Sequence, residues 1–147
     1  MSALMIDLLQ VRPGGRVLEV GTGLGYQTAL LASLGAQVWS VDVVEEFVEA
    51  AAQRLRALDL TDITLRVGDG SRGWADEAPF DAILVSAAAK ELPVALVGQL
   101  VVGGRMVLPL AGDGGQQALT AVERTTIDAV TAAEIMAVQF TALETVI

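Results

Sequence analysis

The sequence predicts an α/β fold: a doubly wound, mostly parallel sheet of about seven strands, closed by a C-terminal antiparallel strand pair. Three observations carry this. Short apolar runs alternate with helical periodicity from Arg16 to Leu110. Alternating strands and helices of this kind build parallel sheets. Three glycines at alternate positions, Gly21, Gly23 and Gly25, join the first strand to the first long helix. Two extended stretches without an intervening helix finish the chain. The corner of strand, glycine turn and helix is Rossmann-like, because backbone there can approach a ligand and the helix N-terminus offers N–H donors.

Taken in order, residues 1–10 read as a short helix, apolar at Leu4, Met5, Leu8 and Leu9, before a turn at Pro13-Gly14-Gly15. Arg16 to Val20 is a buried strand, and the run from Tyr26 to Leu34 is a helix ended by Gly35. Gln37 to Asp42 is the second strand, with Val38, Trp39 and Val41 suiting a buried parallel position. Val44 to Leu58 is an amphipathic helix. Its acids Glu45, Glu46 and Glu49 near the start and its bases Arg54 and Arg56 near the end complement the macrodipole on a solvated face. After a turn at Asp59–Asp62 come a third strand, Ile63 to Val67, and a loop through Arg72, Trp74 and Asp76 to Pro79. Trp74 reads as a packing residue. Phe80 to Val85 is the fourth strand, Glu91 to Leu100 a helix begun at Pro93, and Arg105 to Leu110 the fifth strand. Ala118 to Thr126 and Glu134 to Leu143 form the terminal pair. With 147 residues and no linker or repeat, a single domain over 1–147 is expected.

Composition narrows the function. The chain has no cysteine, hence no disulfide framework, thiolate zinc site or thiol nucleophile. It has no histidine, which removes the commonest general base and the usual metal ligand. No metal site is expected. A net charge of −9 with nine scattered basic residues argues against a nucleic-acid partner. No stretch reaches the ~18 apolar residues of a membrane span, and the first residues lack a basic leader, so a cytosolic location is expected.

The turn selects among ligands. The dinucleotide fingerprint G-x-G-x-x-G would need its third glycine at Tyr26, and here it stands one residue early, at Gly25. Tyr26 thus argues against a nicotinamide-linked oxidoreductase. Glu19, two residues before Gly21, is awkward beside a pyrophosphate and suits a ligand that carries an ammonium group and a sulfonium. The pattern E-x-G-x-G-x-G therefore favours S-adenosylmethionine. Asp42 ends the second strand 21 residues after Gly21 (42 − 21), about the offset at which an acid reaches a ribose hydroxyl in this fold. Its alternative role is a cap for the next helix. Asp69, between Gly68 and Gly70, stands at another strand's carboxyl end and could accept the adenine amino group, or could form an ordinary Asp-Gly turn. Ser86, followed by Ala87-Ala88-Ala89, either leaves room for a substrate or belongs to a plain loop.

These residues resemble the class I S-adenosylmethionine-dependent methyltransferases, and more closely the protein-L-isoaspartate O-methyltransferase family. The resemblance rests on Pro-Gly-Gly-Arg-Val-Leu-Glu-Val-Gly-Thr-Gly-Leu-Gly-Tyr-Gln-Thr-Ala (13–29), Val-Gly-Asp-Gly-Ser-Arg-Gly-Trp (67–74) and Ala-Pro-Phe-Asp-Ala-Ile-Leu-Val-Ser-Ala-Ala-Ala (78–89). It continues in Gln-Leu-Val-Val-Gly-Gly-Arg-Met-Val-Leu-Pro-Leu (99–110) and Val-Gln-Phe-Thr-Ala-Leu (138–143). It implies that Gly21, Thr22, Gly23 and Gly25 border the methionine and ribose part of S-adenosyl-L-methionine, with Glu19 also counted among the cofactor-binding residues. Asp42 with its neighbour Val43 would meet the ribose, and Asp69 with Gly70 the adenine. Ser86 would line the substrate side. The implied reaction is methyl transfer to the carboxylate of an isomerised aspartyl residue in a protein or peptide. Members of the family carry a substantial segment, with a Thr-Ile-Ser-like stretch, before the cofactor domain. Only about a dozen residues precede Pro13 here. The alternative is a cofactor-binding domain that is inactive alone or methylates another small acid.

Overall fold

Seven strands in the order β3-β2-β1-β4-β5-β6-β7 make one sheet in this computed structural model, which describes residues 1–144. The first helix, α1 (Ser2–Leu9), precedes β1 (Arg16–Val20), α2 (Tyr26–Ser33), β2 (Gln37–Asp42), α3 (Glu45–Ala57) and β3 (Ile63–Val67). Two single 3₁₀ turns, Gly70–Arg72 and Ala75–Glu77, lead to β4 (Phe80–Val85), α4 (Val94–Val97), β5 (Leu100–Ala111), β6 (Gln117–Thr126) and β7 (Ala129–Val138). Strands β1 to β5 pair in parallel, and β6 and β7 continue as an antiparallel meander.

Alternation along β1 divides the core. Val17 joins Met5, Ile6, Leu9, Leu31 and Leu84 under α1 and α2, whereas Leu18 and Val20 join Phe80, Ile83, Leu96 and Met106 on the other face. Trp74 packs in that second cluster, as its sequence setting suggested, with the Arg66 guanidinium 4.1 Å above its ring. Apolar burial on both faces of β1 and β4 is what a central parallel strand requires.

The sheet reverses between β1 and β4. From β1 the chain proceeds outward to β2 and β3, then returns to place β4 on β1's other side. The helices flanking such a reversal diverge and leave a crevice beyond the strands' carboxyl ends. Glycines make that crevice narrow at its base. Gly25, at φ +89°, lets the start of α2 lie against α3, where an added Cβ would sit 3.0 Å from the Ala51 Cβ. At Gly70 an added Cβ would stand 2.4 Å from the Val20 side chain, so the loop after β3 closes directly onto β1.

Three elements depart from the sequence reading. The helix expected over Glu91–Leu100 is only Val94–Val97, with Pro93 outside it as the cap residue. Gln99 explains this: its side chain accepts from the Trp74 amide at 2.8 Å and donates to the Arg72 carbonyl at 2.9 Å, while its carbonyl accepts from Phe80. The chain is thereby drawn into the sheet, and β5 begins at Leu100 instead of Arg105, with a register shift opposite Phe80–Ala82. The last strand is Ala129–Val138 instead of Glu134–Leu143. A tight turn at Ile127-Asp128, held by Arg124 and Thr126, starts the return strand at once. Gln117 then clamps Phe140 through both side-chain atoms, and residues 141–143 leave the hairpin.

Gly25→Ala forces both a left-handed backbone and a contact with Ala51. It is expected to destabilise the fold by about 1–3 kcal/mol, read as a lower urea midpoint with unchanged slope. An unaltered midpoint would show that α2 and α3 have room to part.

Candidate functional site

A cavity of about 420 Å³ lies at the sheet's reversal point, within the usual size range of small-molecule sites. It is lined by Gly21 and Gly23 after β1, by Asp42, Val43 and Val44 after β2, by Gly70 after β3, and by Ser86 and Ala87 after β4. Four loops that are distant in sequence therefore meet there. A larger cleft, about 540 Å³, opens at the other end of the sheet between Arg12–Gly15 and Val101–Arg105. Open α/β sheets bind ligands outside the carboxyl ends of their strands, so the smaller cavity is the candidate site.

The glycine turn is built by its own hydrogen bonds. Gly21, at φ +101°, donates to the Val41 carbonyl at 2.8 Å, and Gly23, at φ +52°, donates to Asp42 Oδ2 at 2.8 Å. Asp42 Oδ1 accepts from the Val44 amide at 3.0 Å. This carboxylate holds the turn to the start of α3 and is not its cap, since Val44 occupies that position. A carboxylate has about four lone-pair positions, so two of them stay available to hydroxyl donors. An added Cβ at Gly23 would meet nothing within 4 Å. The open space over that residue is the cradle.

Charge in the lining has one sign. Asp42 and Glu144 contribute carboxylates, and no Lys or Arg lines the cavity among the described residues. A pyrophosphate would be repelled there, whereas a cation would be held. No group of side chains suited to a metal ion occurs among the described residues.

Glu19 does not line the cavity. It is fully buried on the α2 face of β1, where Oε1 accepts from Thr28 and, at 2.7 Å, from Ser40. Its Oε2 is buried with no partner. Burial pushes this carboxyl up to about 7, against the pull of the Thr28 and Ser40 hydroxyls, with Asp42 adding a smaller push upward. Thr22 is also buried, 2.5 Å from the Ser40 hydroxyl. Ser40 spends its single proton on Glu19, so Thr22 is the donor in that contact.

The expected site residues therefore separate. Gly21, Gly23, Asp42, Val43, Gly70 and Ser86 line the cavity, while Glu19, Thr22, Gly25 and Asp69 do not. Glu19 stands behind the turn because alternation along β1 sends it under α2, Thr22 is held there by its contact with Ser40, and Gly25 serves the contact with Ala51. Asp69 caps the Gly70–Arg72 turn by accepting from the Ser71 amide at 3.0 Å and the Ser71 hydroxyl at 2.6 Å. Ser86 donates to Gln27 at 2.7 Å, and Gln27 in turn donates to Ser2 at 3.0 Å. Of the small run after Ser86, Ala87 lines the cavity, whereas Ala88 and Ala89 pack against other segments. Ala88 exchanges hydrogen bonds with Thr141 and Leu143, and Ala89 pairs with Pro109 and Ala111. Sequence reasoning missed Phe47 at the start of α3 and Thr141, Leu143 and Glu144 from the tail. The tail motif was visible in 138–143, but no spacing rule places it over a glycine turn.

The reversed sheet, the glycine turn and the acid ending β2 define the α/β fold of S-adenosylmethionine-dependent methyltransferases. Residues 1–146 match the family model of protein-L-isoaspartate(D-aspartate) O-methyltransferase. The chain belongs to that family. It is 46% identical over 142 residues to protein-L-isoaspartate O-methyltransferase 1 of Polaromonas sp., covering 97% of this chain and 60% of that protein. With the protein-L-isoaspartate O-methyltransferase of Methylorubrum populi it shares 52% identity over 122 residues, 83% of this chain and 57% of the relative. Among solved structures it is similar to a Plasmodium falciparum protein described as a protein-L-isoaspartate O-methyltransferase, in complex with S-adenosyl-L-homocysteine. That likeness has a TM-score of 0.87 at 25% identity and covers 98% of this chain and 73% of the other. The chain thus spans about 60% of the length of these curated relatives.

Glu19 gives stability a definite pH dependence. Folded, it keeps its proton up to about pH 7, whereas the unfolded carboxyl loses it near 4.5. The native state binds the extra proton in this window, so stability contributed by Glu19 falls as pH rises through it, by about 3 kcal/mol at most. Wild-type protein should lose melting temperature between pH 5 and 8 more steeply than Glu19→Gln, compared by calorimetry. Equal slopes would remove Glu19 as the source.

Proposed function

We propose that the chain binds S-adenosyl-L-methionine in this cavity and transfers its methyl group to the carboxylate of L-isoaspartyl residues in proteins or peptides. The observation that supports it most directly is the acid-lined glycine cradle at the sheet reversal of a chain from this family. Residues and ligand fit. Gly23 leaves space above the turn, Asp42 keeps lone pairs for ribose hydroxyls, and Val43, Val44 and Phe47 supply apolar surface for a purine. Asp42 and Glu144 suit an ammonium group and a sulfonium. Asp69 acts through Gly70: capping the 3₁₀ turn sets the loop that closes onto Val20.

The bound cofactor would supply an electrophilic methyl group on sulfur. The protein's own task is then mostly geometric. A carboxylate acceptor has a reference pKa of about 4 and is ionised at neutral pH, so it requires alignment with the methyl group and exclusion of water more than a base. Ser86, fixed by Gln27, borders the cavity where an acceptor can enter. Thr141 and Leu143 cover it from the side. A damaged protein or peptide is the partner under this reading, and a cytosolic setting, suggested by the cysteine-free sequence, belongs to the same proposal.

A second reading has one specific observation in its favour: the chain covers about 60% of the relatives' length. The cradle could then bind cofactor while acceptor recognition depends on further residues. Two measurements separate the readings. Titration with S-adenosyl-L-homocysteine tests the cradle, and labelled methyl transfer to an isoaspartyl peptide tests turnover. Binding with no methyl ester above blank would favour the second reading, and no binding would sink both.

Asp42→Ala removes the acceptor that steadies Gly23 and faces the ribose. Cofactor affinity is expected to fall by about 1–3 kcal/mol, seen in the same titration. Unchanged affinity would take Asp42 out of the site.

A further inference from the structure

Among the described residues Glu19 is the one buried carboxyl that the proposed reaction does not use, and its surroundings give it a task. One oxygen, Oε1, joins three parts of the cradle: it accepts from Thr28 on α2 and from Ser40 on β2, and Ser40 accepts from Thr22 inside the glycine turn. The other oxygen, Oε2, is buried without a partner. An ionised carboxylate with half its charge unmatched in the protein interior is costly, so the ligand-free protein favours the neutral acid. No Lys or Arg pairs with it among the described residues. The charged group that acts on it is Asp42 at the end of β2, which also disfavours ionisation. From β4 its register neighbour is Leu84, α1 turns Met5, Ile6 and Leu9 inward and Asp7 to solvent, and Glu45 and Glu46 of α3 are exposed.

A cationic ligand reverses this balance. Gly21, two residues from Glu19, lines the cavity, so a positive charge held there is within Coulombic reach. It offsets the repulsion from Asp42 and attracts an anion behind the turn. Ionised Glu19 would also make stronger, charge-assisted bonds to Thr28 and Ser40, and so fix Thr22 and the turn more firmly.

We propose that Glu19 is a proton-linked positioning residue of the cradle: it carries a proton in the ligand-free protein and releases it to solvent when a cationic adenosyl compound binds. The proton passes from the carboxyl to buffer, and no other bond changes. This inference rests on the cofactor reading above.

The test is calorimetric titration of S-adenosyl-L-methionine at pH 6, 7 and 8 in phosphate and in Tris. Affinity should rise roughly fivefold from pH 6 to 8 for one pK unit of relief at Glu19. Enthalpies in the two buffers should differ by the heat of roughly half a released proton near pH 6.5. S-adenosyl-L-homocysteine, whose sulfur is uncharged, should release less. In Glu19→Gln, which keeps an acceptor for Thr28 and Ser40, both the pH dependence and the buffer difference should vanish. Because that variant could fail to fold, the ¹³C-carboxyl resonance of Glu19 in wild-type protein is the second measurement, and its titration midpoint should move to lower pH with ligand. Binding without proton exchange, a midpoint that stays put, or undiminished release in Glu19→Gln would each overturn the proposal. No binding at any pH would overturn the cofactor reading as well.

Discussion

Everything in the site depends on a backbone that must leave β1, turn sharply and enter α2 without filling the space above the sheet. The turn meets this with positive φ at Gly21, Gly23 and Gly25. Each of these glycines has a different reason to lack a side chain. Gly21 donates to β2 while passing Ser86, whose Cβ would lie 3.4 Å from an added Cβ. Gly23 faces open space, and Gly25 faces Ala51. Only the middle one leaves the space above it open.

The second tier of support is polar and hidden. Asp42 ties the turn to α3 from the cavity side, and Glu19 ties it to α2 and β2 from behind, through Thr28, Ser40 and Thr22. The turn is thus gripped between two carboxyls of different character, one partly exposed and one fully buried. Their separation follows from strand geometry. Glu19 points under α2 by the alternation of β1, whereas Asp42 sits at the end of β2, where the strand opens into the crevice. Two acids that look equivalent in a motif therefore have unlike environments, and burial raises the pKa of Glu19.

The tail shows how much a cavity can depend on chain far from its motifs. Thr141 and Leu143 reach it only because Gln117 holds Phe140 and releases the next residues from the hairpin. The alanines after Ser86 are small so that two segments can flank them: the tail on one side and the end of β5 on the other. Their size serves packing of the chain on itself. Ser86 and Ala87, by contrast, line the cavity.

The sequence alone determined the parallel sheet, the position of its glycine turn and the acid at the end of β2. Each depends on local spacing: apolar runs of strand length, glycines at alternate positions, an acid 21 residues on. It also carried the family's motifs in order. Tertiary structure decided what local spacing cannot express. It put Glu19 and Thr22 behind the turn, gave Asp69 to its own 3₁₀ turn, shortened the helix before β5 through Gln99, and brought the tail over the cavity. The last two turn on contacts between residues far apart in the chain, Gln99 with Trp74 and Ala88 with Thr141, and the first on the bonds of Ser40 to Glu19 and Thr22. Periodicity reports which face a residue occupies, but only packing reports what already fills the space in front of it.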